Sequence, residues 1–560
     1  MTAYRCRLGV AACLLLSVAA VASDPTTPDR AAIASAHPLA TQAGLRILEQ
    51  GGNAFDAAVA VSAALAVVEP YSSGIGGGGF WLLHVAASDR DVVVDGREVA
   101  PRAATRDMYL DERGEPVPRL SLDGPLAAGI PGHPAALVHI AERYGRLPLA
   151  DSLAPAMGYA KEGFPVDERL LQGLAYKRDL LRRWPAAAEI FLDDGEVPGE
   201  DAILRQPALA GTLEGLAEGG RDGFYGGPVA KRLVKGVRAN GGIWSLDDLE
   251  SYRVVEREPL QATYRGVRIT TAPPPSAGGA ALIEALNILS GYDLDGINDI
   301  ERRHLVVETL RRVFRDRGEF LGDPEFVDVP LRRLLHPFYA AGLRSSIRLD
   351  RATPSAMLPG VKTAGSAGTQ TTHFSVLDIE GNRVAATMSI NFWFGSGFMP
   401  AGTGVLLNNE MNDFSIKPGV PDGYQLVGTD ANAIAPGKRM LSSMTPTMLR
   451  SREGVAILGT PGGSRIISMV LLGTLAWIDG ASAEQMVRMP RYHHQYQPDR
   501  ISHEKAALGP ADVEALQALG HELAELPDEY GNMQVVTWTF DSGEVEAASD
   551  PRGVGAGYVY

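Results

Sequence analysis

The stretch Gly368-Thr369-Gln370-Thr371-Thr372-His373-Phe374-Ser375-Val376 joins a loop of small residues to a strand-like segment. From Thr372 to Leu377, Thr, Phe and Val alternate with polar residues, which predicts a β-strand. If the Gln370–Thr371 bond were cut, Thr371 would carry a free α-amine beside its own hydroxyl. Such an amine can serve as the general base for the hydroxyl, as in nucleophilic catalysis by an N-terminal threonine. Taken alone, the stretch fits either a nucleophile released by cleavage or a plain loop that enters a strand.

The chain changes character at this stretch. The segment Thr353–Gln370 is rich in Pro, Gly, Ser and Ala, the composition of a pliable linker. The periodicity predicts mainly helices before it and mainly strands after it. The predicted helices are Leu39–Gln50, Ala54–Val68, much of 135–250, Ala280–Leu289, Glu301–Gly318, Ile466–Ala476 and Ala511–Leu519. The predicted strands are Phe80–Val85, Val92–Asp95, Thr372–Leu377, Val384–Ile390, Gly404–Leu407, Thr447–Leu449, Val455–Leu458 and Met533–Phe540.

The composition is that of an ordinary folded protein. Of 560 residues, 45% are hydrophobic and 21% are charged, which is unlike a disordered chain. The formal net charge of −15 argues against nucleic acid as a partner, because phosphate binding requires clustered Lys and Arg.

The first residues have the pattern of a secretory signal peptide. Arg5 and Arg7 precede an apolar core, Leu8–Ala19, and a small-residue cleavage site, Ala20-Val21-Ala22. The apolar run is short for a membrane anchor, so we expect removal of residues 1–22 and export to the periplasm or the medium. Both cysteines of the chain, Cys6 and Cys13, lie in this segment. The mature protein should therefore contain no disulfide and no thiolate metal site.

Several longer motifs follow one another in a fixed order. They are Gly51–Ala60, Ser73–Phe80, Arg97–Pro101, Thr371–His373, Leu407–Phe414, Leu441–Met444 and Pro461–Arg465. In these motifs the chain resembles the γ-glutamyltranspeptidase (glutathione hydrolase) family of N-terminal-nucleophile hydrolases. The resemblance extends along nearly the whole chain.

The resemblance implies a fold and a maturation. The fold is α+β, a four-layer αββα sandwich in which two sheets stack between helical layers. Two subunits formed by self-cleavage would share one core. The large subunit would be residues 23–370, and the small subunit would be residues 371–560, with Thr371 at its N-terminus.

The resemblance also assigns catalytic roles. Thr371 would be the nucleophile and would free itself by attacking the preceding carbonyl, while the Ser389 hydroxyl could bond its amine. Gly462 and Gly463 would supply amides that stabilise the oxyanion. On spacing alone the two glycines fit a tight strand-to-helix turn equally well. His373 could act as a base, but a packed structural role is favoured because the α-amine already supplies one.

The same resemblance implies a binding site for a zwitterion. Arg97, whose planar fork suits a carboxylate, would bind the α-carboxylate of a γ-glutamyl group. Acidic and amide oxygens would receive its α-ammonium. The implied binding residues are Arg97, Asn391, Glu410, Asp413, Ser442, Ser443 and Tyr424, the last on a lid within 414–427. Asn412 stands where many relatives have Asp.

Two other motifs suggest no further chemistry. Gly74–Gly79 leads into a strand and lacks a following Lys-Ser/Thr, so a phosphate cradle is rejected. His493 and His494 should point to opposite faces of an extended segment and lack further ligands, which favours structural roles over a metal site.

The resemblance therefore implies an exported γ-glutamyltransferase and glutathione hydrolase. It would form a γ-glutamyl-enzyme and pass the group to water, amino acids or peptides, without metal or cofactor. Its expected partners are small γ-glutamyl substrates and the two subunits of its own precursor. The alternatives are a cephalosporin (glutaryl) acylase of the same superfamily and an inactive paralogue that only binds γ-glutamyl compounds.

Overall fold

The computed structural model describes residues 27–358, 360 and 371–560. The predicted signal peptide, both cysteines and the end of the predicted linker, including Gln370, lie outside the described residues. Across the described part of the chain, no helix has the length and apolar character needed to cross a membrane.

Two antiparallel sheets form the centre of the molecule. The first has seven strands in the order β18-β1-β9-β10-β2-β3-β6, and the second has six in the order β17-β16-β12-β11-β8-β7. The strands of the described residues are β1 Ala32–Ser35, β2 Gly78–Val85, β3 Arg90–Gly96, β4 Phe164–Pro165, β5 Ile203–Leu204, β6 Val255–Arg257, β7 Leu260–Tyr264, β8 Val267–Thr271, β9 Thr372–Leu377, β10 Arg383–Ser389, β11 Thr447–Arg450, β12 Gly454–Gly459, β13 Tyr492–His493, β14 Ile501–His503, β15 Leu523–Glu525, β16 Gln534–Thr539, β17 Val545–Ser549 and β18 Ala556–Val559.

Helices cover the outer faces of both sheets. The helix α2 is buried along its whole length, between the first sheet and the helices α1, α3 and α4. The helices of the described residues are α1 Pro38–Glu49, α2 Ala54–Val68, α3 His133–Tyr144, α4 Leu149–Glu162, α5 Glu168–Leu181, α6 Pro185–Phe191, α7 Pro207–Tyr225, α8 Gly227–Ala239, α9 Leu246–Ser251, α10 Gly278–Leu289, α11 Asp299–Phe320, α12 Leu331–Leu334, α13 Pro337–Arg344, α14 Ile466–Ile478, α15 Ala483–Arg488 and α16 Pro510–Ala518.

The alternation of side chains along the strands produces the four layers. In β2, Phe80 and Leu82 face the second sheet, while Trp81 and Leu83 face the helices. In β12, Ile457 likewise belongs to the core between the sheets, and its neighbours pack against the other helical layer. Because successive side chains of a strand point to opposite faces, continuous apolar strands bury both faces of each sheet. The predicted α+β sandwich is confirmed.

The chain on both sides of residue 370 contributes to both sheets. In the first sheet β9 lies between β1 and β10, and β10 pairs with β2. In the second sheet β11 pairs with β8. Residues before and after 370 therefore share one core, and neither part would bury its apolar surface alone.

One predicted strand is wrong. Residues 404–407 are buried but form no strand. The Leu407 amide donates to Phe398 O, and its carbonyl accepts from the Ser396 amide. The local loop thus satisfies the backbone groups that a strand would offer to a neighbour. Several strands of the two sheets were not predicted, among them β1, β7, β8, β17 and β18. The short strand β1, for example, has the sequence Ala-Ile-Ala-Ser, which lacks a clear alternation.

Candidate active site

Thr371 lies immediately before β9, in the middle of the first sheet. It is buried, with 4% of its surface exposed. Its hydroxyl donates to the Ser389 hydroxyl at 3.4 Å, and Ser389 ends the adjacent strand β10. The Ser389 oxygen also accepts the Asn391 amide at 2.7 Å. The pairing of β9 with β10 thus fixes the predicted nucleophile beside the serine predicted to assist it.

Asn391 occupies a strained loop after β10. Its φ of 75° is left-handed, a conformation that asparagine tolerates better than most residues. Its side-chain amide donates to Asn409 O at 3.0 Å, and its carbonyl accepts from the Tyr424 hydroxyl at 3.2 Å. These contacts hold the turn beside Thr371.

Arg97 follows β3 and is completely buried. Its two terminal nitrogens donate to Glu410 at 2.6 Å and to Asp413 at 2.5 Å. Its Nε donates to Met440 O at 3.3 Å. The residues predicted to bind the two opposite charges of the substrate are therefore paired with each other in this structure.

Three carboxyl groups, those of Glu98, Glu410 and Asp413, surround the guanidinium of Arg97. Burial raises the pKa of Glu410 well above its usual range, although the Arg97 guanidinium opposes that shift. Burial also raises the pKa of Glu98 to about 8. Burial disfavours the charged form of Arg97, but Glu410 and its acidic neighbours hold its pKa above the ordinary value. This excess of acidic groups suits a positively charged ligand group.

Ser442 and Ser443 lie on a buried segment before β11. The Ser442 amide donates to Pro275 O at 2.9 Å, and its hydroxyl accepts the Met444 amide at 3.1 Å. The Ser443 hydroxyl accepts a hydrogen bond from Arg317 at 3.1 Å. Arg317, on α11, was not identified from the sequence. A charged residue on the buried face of an amphipathic helix is the signal that could have indicated it.

Gly462 and Gly463 form the turn between β12 and α14. Their φ angles of 144° and 58° are both positive. A Cβ on Gly462 would lie 2.5 Å from Met469 Cε, and one on Gly463 would lie 2.3 Å from Tyr424 Cε1. Neither backbone amide donates a hydrogen bond to another described residue. Both positions thus require glycine, and neither amide is used by the described part of the protein, as the predicted oxyanion role requires.

Tyr424 covers Gly463 and stacks on Phe392 with ring centroids 4.6 Å apart. It belongs to the loop after Phe414 that the resemblance implied as a lid. Asn412 lies near the base of this loop, donating to the Ser121 hydroxyl at 2.8 Å and accepting the Gly423 amide at 3.0 Å. Asn412 therefore supports the loop and does not line the site.

Thr371 borders two cavities. The first is lined by all the predicted site residues except Gly462. Its lining is Arg97, Arg317, Thr371, Ser389, Asn391, Glu410, Asp413, Tyr424, Leu426, Ser442, Ser443, Met444, Gly463 and Ile466. The second is lined by Gly462 and, like the first, by Thr371.

The second cavity contains groups that sequence reasoning missed. Glu69, at the C-terminal end of α2, is buried, and burial raises its pKa to about 8. Arg169 also lines this cavity and stacks over the Trp393 ring at 4.9 Å. A buried carboxyl group with a raised pKa and a guanidinium group thus both line the space beside Thr371.

The histidines occupy structural positions. His373 is buried, contacts the Thr387 hydroxyl at 2.8 Å, and burial lowers its pKa to about 3. It lines neither cavity around Thr371. His493 contacts the Ser468 hydroxyl, and His494 contacts Asp499 at 3.2 Å. These contacts agree with the structural roles favoured by the sequence.

Comparisons with known proteins establish the family of this chain. The family model described as gamma-glutamyltranspeptidase matches residues 40–560. The glutathione hydrolase proenzyme of Escherichia coli (strain K12) is 40% identical over 535 residues, which cover 95% of this chain and 92% of that protein. Cephalosporin acylase from Bacillus halodurans aligns with a TM-score of 0.83 at 28% identity and covers 96% of both chains. Helicobacter pylori gamma-glutamyltranspeptidase aligns with a TM-score of 0.57 at 39% identity, over 58% of this chain and 94% of that chain. The chain therefore belongs to the γ-glutamyltranspeptidase family.

Proposed function

We propose that this protein is a γ-glutamyltransferase and glutathione hydrolase with Thr371 as its nucleophile. The observation that carries the proposal is a single cavity in which Thr371, an available backbone amide and groups of both charges meet. Membership of the family supports the same activity.

Maturation begins with the uncut chain. The Thr371 hydroxyl attacks the Gln370 carbonyl, and the peptide bond is exchanged for an ester as the Thr371 nitrogen takes up a proton. Water then cleaves the ester and leaves a free α-amine on Thr371. The products, residues 23–370 and 371–560 after removal of 1–22, stay together because strands from both form the same sheets.

Turnover uses the amine that maturation releases. The amine accepts the hydroxyl proton while Thr371 Oγ1 attacks the γ-carbonyl of the substrate. The amides of Gly462 and Gly463 stabilise the negative oxygen of the tetrahedral intermediate. The leaving amine takes the proton as the C–N bond breaks. Water or the amine of an amino acid or peptide then attacks the γ-glutamyl ester, and Thr371 recovers its proton.

The first cavity holds the γ-glutamyl group. Its ammonium pairs with Glu410 and Asp413, with Asn391 as a neutral partner. Its carboxylate meets Arg97, Ser442 and Ser443. The leaving group and the incoming acceptor then occupy the second cavity, which Thr371 also lines.

The glutaryl acylase alternative is favoured by the fold similarity to a cephalosporin acylase and by 36% identity, over 94% of this chain, to the Acylase ACY 1 proenzyme of Pseudomonas sp. (strain SE83). A glutaryl group lacks the ammonium, however, and would leave Glu410 and Asp413 without a ligand partner. An inactive paralogue is disfavoured because Thr371 and both glycines are retained.

The test compares kcat/KM for a γ-glutamyl anilide and the matching glutaryl anilide, with and without a dipeptide acceptor. We expect strong preference for the γ-glutamyl compound, because a site built for a charged group rejects an analogue that lacks it. Equal rates for the two anilides would favour the acylase function. No turnover of either by a correctly processed protein would favour the inactive paralogue.

A further inference from the structure

Arg317 is a buried cation in the first cavity. It lies on α11, with 6% of its surface exposed. One terminal nitrogen donates to the Ser443 hydroxyl at 3.1 Å, and Nε has no hydrogen-bond partner among the described residues. Its side chain reaches the same space as Thr371.

Other arginines of α11 are neutralised. Arg312 pairs with Glu308 at 2.7 Å, and Arg311 pairs with Glu308 and Asp499. Across the described part of the chain, Arg317 has no carboxylate within ion-pair distance. Burying a charge without a partner is costly, so a guanidinium kept in this state beside a reactive group suits an anionic ligand.

Arg97 differs from Arg317 in how its nitrogens are used. Both of its terminal nitrogens already bond carboxylates of the protein. Burial lowers the pKa of Arg317, while the more distant Asp422 and Asp413 favour its charged form. Of the two guanidinium groups that line the cavity, that of Arg97 is paired with carboxylates of the protein, whereas that of Arg317 is not paired with a carboxylate of the described residues.

We propose that Arg317 is a second carboxylate-binding residue of this site, donating directly to the α-carboxylate of the γ-glutamyl group alongside Ser443. Arg97 then shares the α-carboxylate with Arg317 and also holds the two acids that receive the ammonium. This inference rests on the proposed γ-glutamyl function and adds a specificity-determining residue to it.

The direct test uses two substrates that differ only at the α-position. One is a γ-glutamyl anilide with its free α-carboxylate, and the other is the same anilide with a neutral α-carboxamide. In Arg317→Gln, we expect kcat/KM for the carboxylate substrate to fall about 10- to 100-fold, chiefly through KM, as for loss of a charge-assisted hydrogen bond. The carboxamide substrate should change far less. Equal losses for both substrates would overturn the inference.

The control is Arg303→Gln, which removes another α11 arginine, one that pairs with Asp512 at 3.5 Å and lies outside both cavities around Thr371. It should leave the ratio between the two substrates unchanged. If wild-type protein fails to turn over the γ-glutamyl anilide, the proposed function itself fails. If wild type is active but Arg317→Gln leaves the ratio unchanged, only the role of Arg317 fails.

Arg317 could instead act by orienting Ser443, and a double-mutant cycle separates these roles. Direct contact predicts that Arg317→Gln still lowers the substrate ratio in a Ser443→Ala background. If Arg317→Gln leaves the substrate ratio of the Ser443→Ala variant unchanged, direct contact of Arg317 with the carboxylate is disproved. If Arg317→Gln is not processed, Arg317→Lys, which retains charge, replaces it and should keep part of the preference for the carboxylate. Failure of both variants to mature would make Arg317 a folding residue and overturn the inference.

Discussion

Arg97 donates a hydrogen bond of 2.6 Å to Glu410, a residue 313 positions later in the chain. In the sequence, Arg97 precedes the proposed cleavage site and Glu410 follows it, and both side chains are buried. The pair therefore links the proposed large and small subunits at the point where the substrate is expected to bind. The same contact therefore belongs both to the shared core and to the proposed binding site.

Thr371→Ala should yield a single uncut chain without activity, because cleavage and turnover both require the hydroxyl. Thr371→Ser keeps a hydroxyl and should still be processed. Gel electrophoresis and N-terminal sequencing of the smaller fragment provide the measurement. A fragment that begins at any residue other than Thr371 would disprove the assignment of the nucleophile.

Arg97→Ala should raise KM for a γ-glutamyl substrate and also destabilise the protein. Loss of the guanidinium leaves Glu410 buried without its partner, and breaking a buried ion pair costs about 3–5 kcal/mol. Arg97→Lys should restore KM only in part, because an ammonium cannot make the same two-pronged contact. Kinetics and thermal unfolding are measured together.

Arg439→Ala is the matched control for Arg97. Arg439 is also buried and lies 3.4 Å from Asp95, but it lines neither cavity at Thr371. The Arg439→Ala variant should have a lower unfolding temperature than wild type without a comparable change in KM. An unchanged KM in Arg97→Ala would make Arg97 a purely structural residue.

Gly463→Ala should reduce kcat by roughly 100- to 1000-fold, the usual effect of losing an oxyanion donor. The new methyl group would collide with the Tyr424 ring and disturb the turn that orients the amide. Gly480→Ala is the control, since Gly480 has a φ of 92° with open space around it. It introduces backbone strain away from the site, so a similar loss of kcat in that variant would count against the oxyanion role.

Asp413→Asn should narrow the preference for γ-glutamyl over glutaryl anilides, because it removes a charge that pairs with the ammonium. Glutaryl turnover, if present, should fall much less. The measurement is kcat/KM for both anilides on the wild type and the variant. Asp430→Asn changes an exposed acid that pairs with Arg106 and should leave the preference intact. A parallel loss for both anilides in Asp413→Asn would contradict the ammonium site.

Asp422→Asn should alter how stability depends on pH. Burial raises the pKa of Asp422 from 3.8 to about 7. The folded protein therefore keeps a proton on this carboxyl up to a higher pH than the unfolded chain does. The stabilisation of the folded state by protonated Asp422 is therefore present at low pH, and it is lost as the pH rises from about 4 to about 7. Relative to wild type, the variant should gain stability between pH 5 and pH 8. Parallel unfolding temperatures across that range would show that Asp422 does not titrate in this way.

The local sequence pattern was sufficient to predict several helices and strands. The helix Ala54–Val68 and the strand Thr372–Leu377 have the predicted bounds. The helix begins with an Asn53 cap and is apolar throughout, and the strand follows a break in composition. Such signals depend on neighbours within a few residues, so they can be detected without knowing the rest of the fold. Family motifs in turn indicated which distant segments form one site.

The tertiary structure decided what those segments do to one another. Nothing local in the sequence shows that the fork of Arg97 is engaged by Glu410 and Asp413, or that Arg317 reaches Ser443 from a helix. The burial that raises the pKa of Glu69 at the end of α2 also depends on packing by other elements. Helix and strand periodicity are properties of adjacent residues, whereas ion pairing and desolvation depend on which distant groups packing brings together. The sequence by itself therefore determined many of the helices and strands and the candidate nucleophile, and only the packed core determined the charges around it.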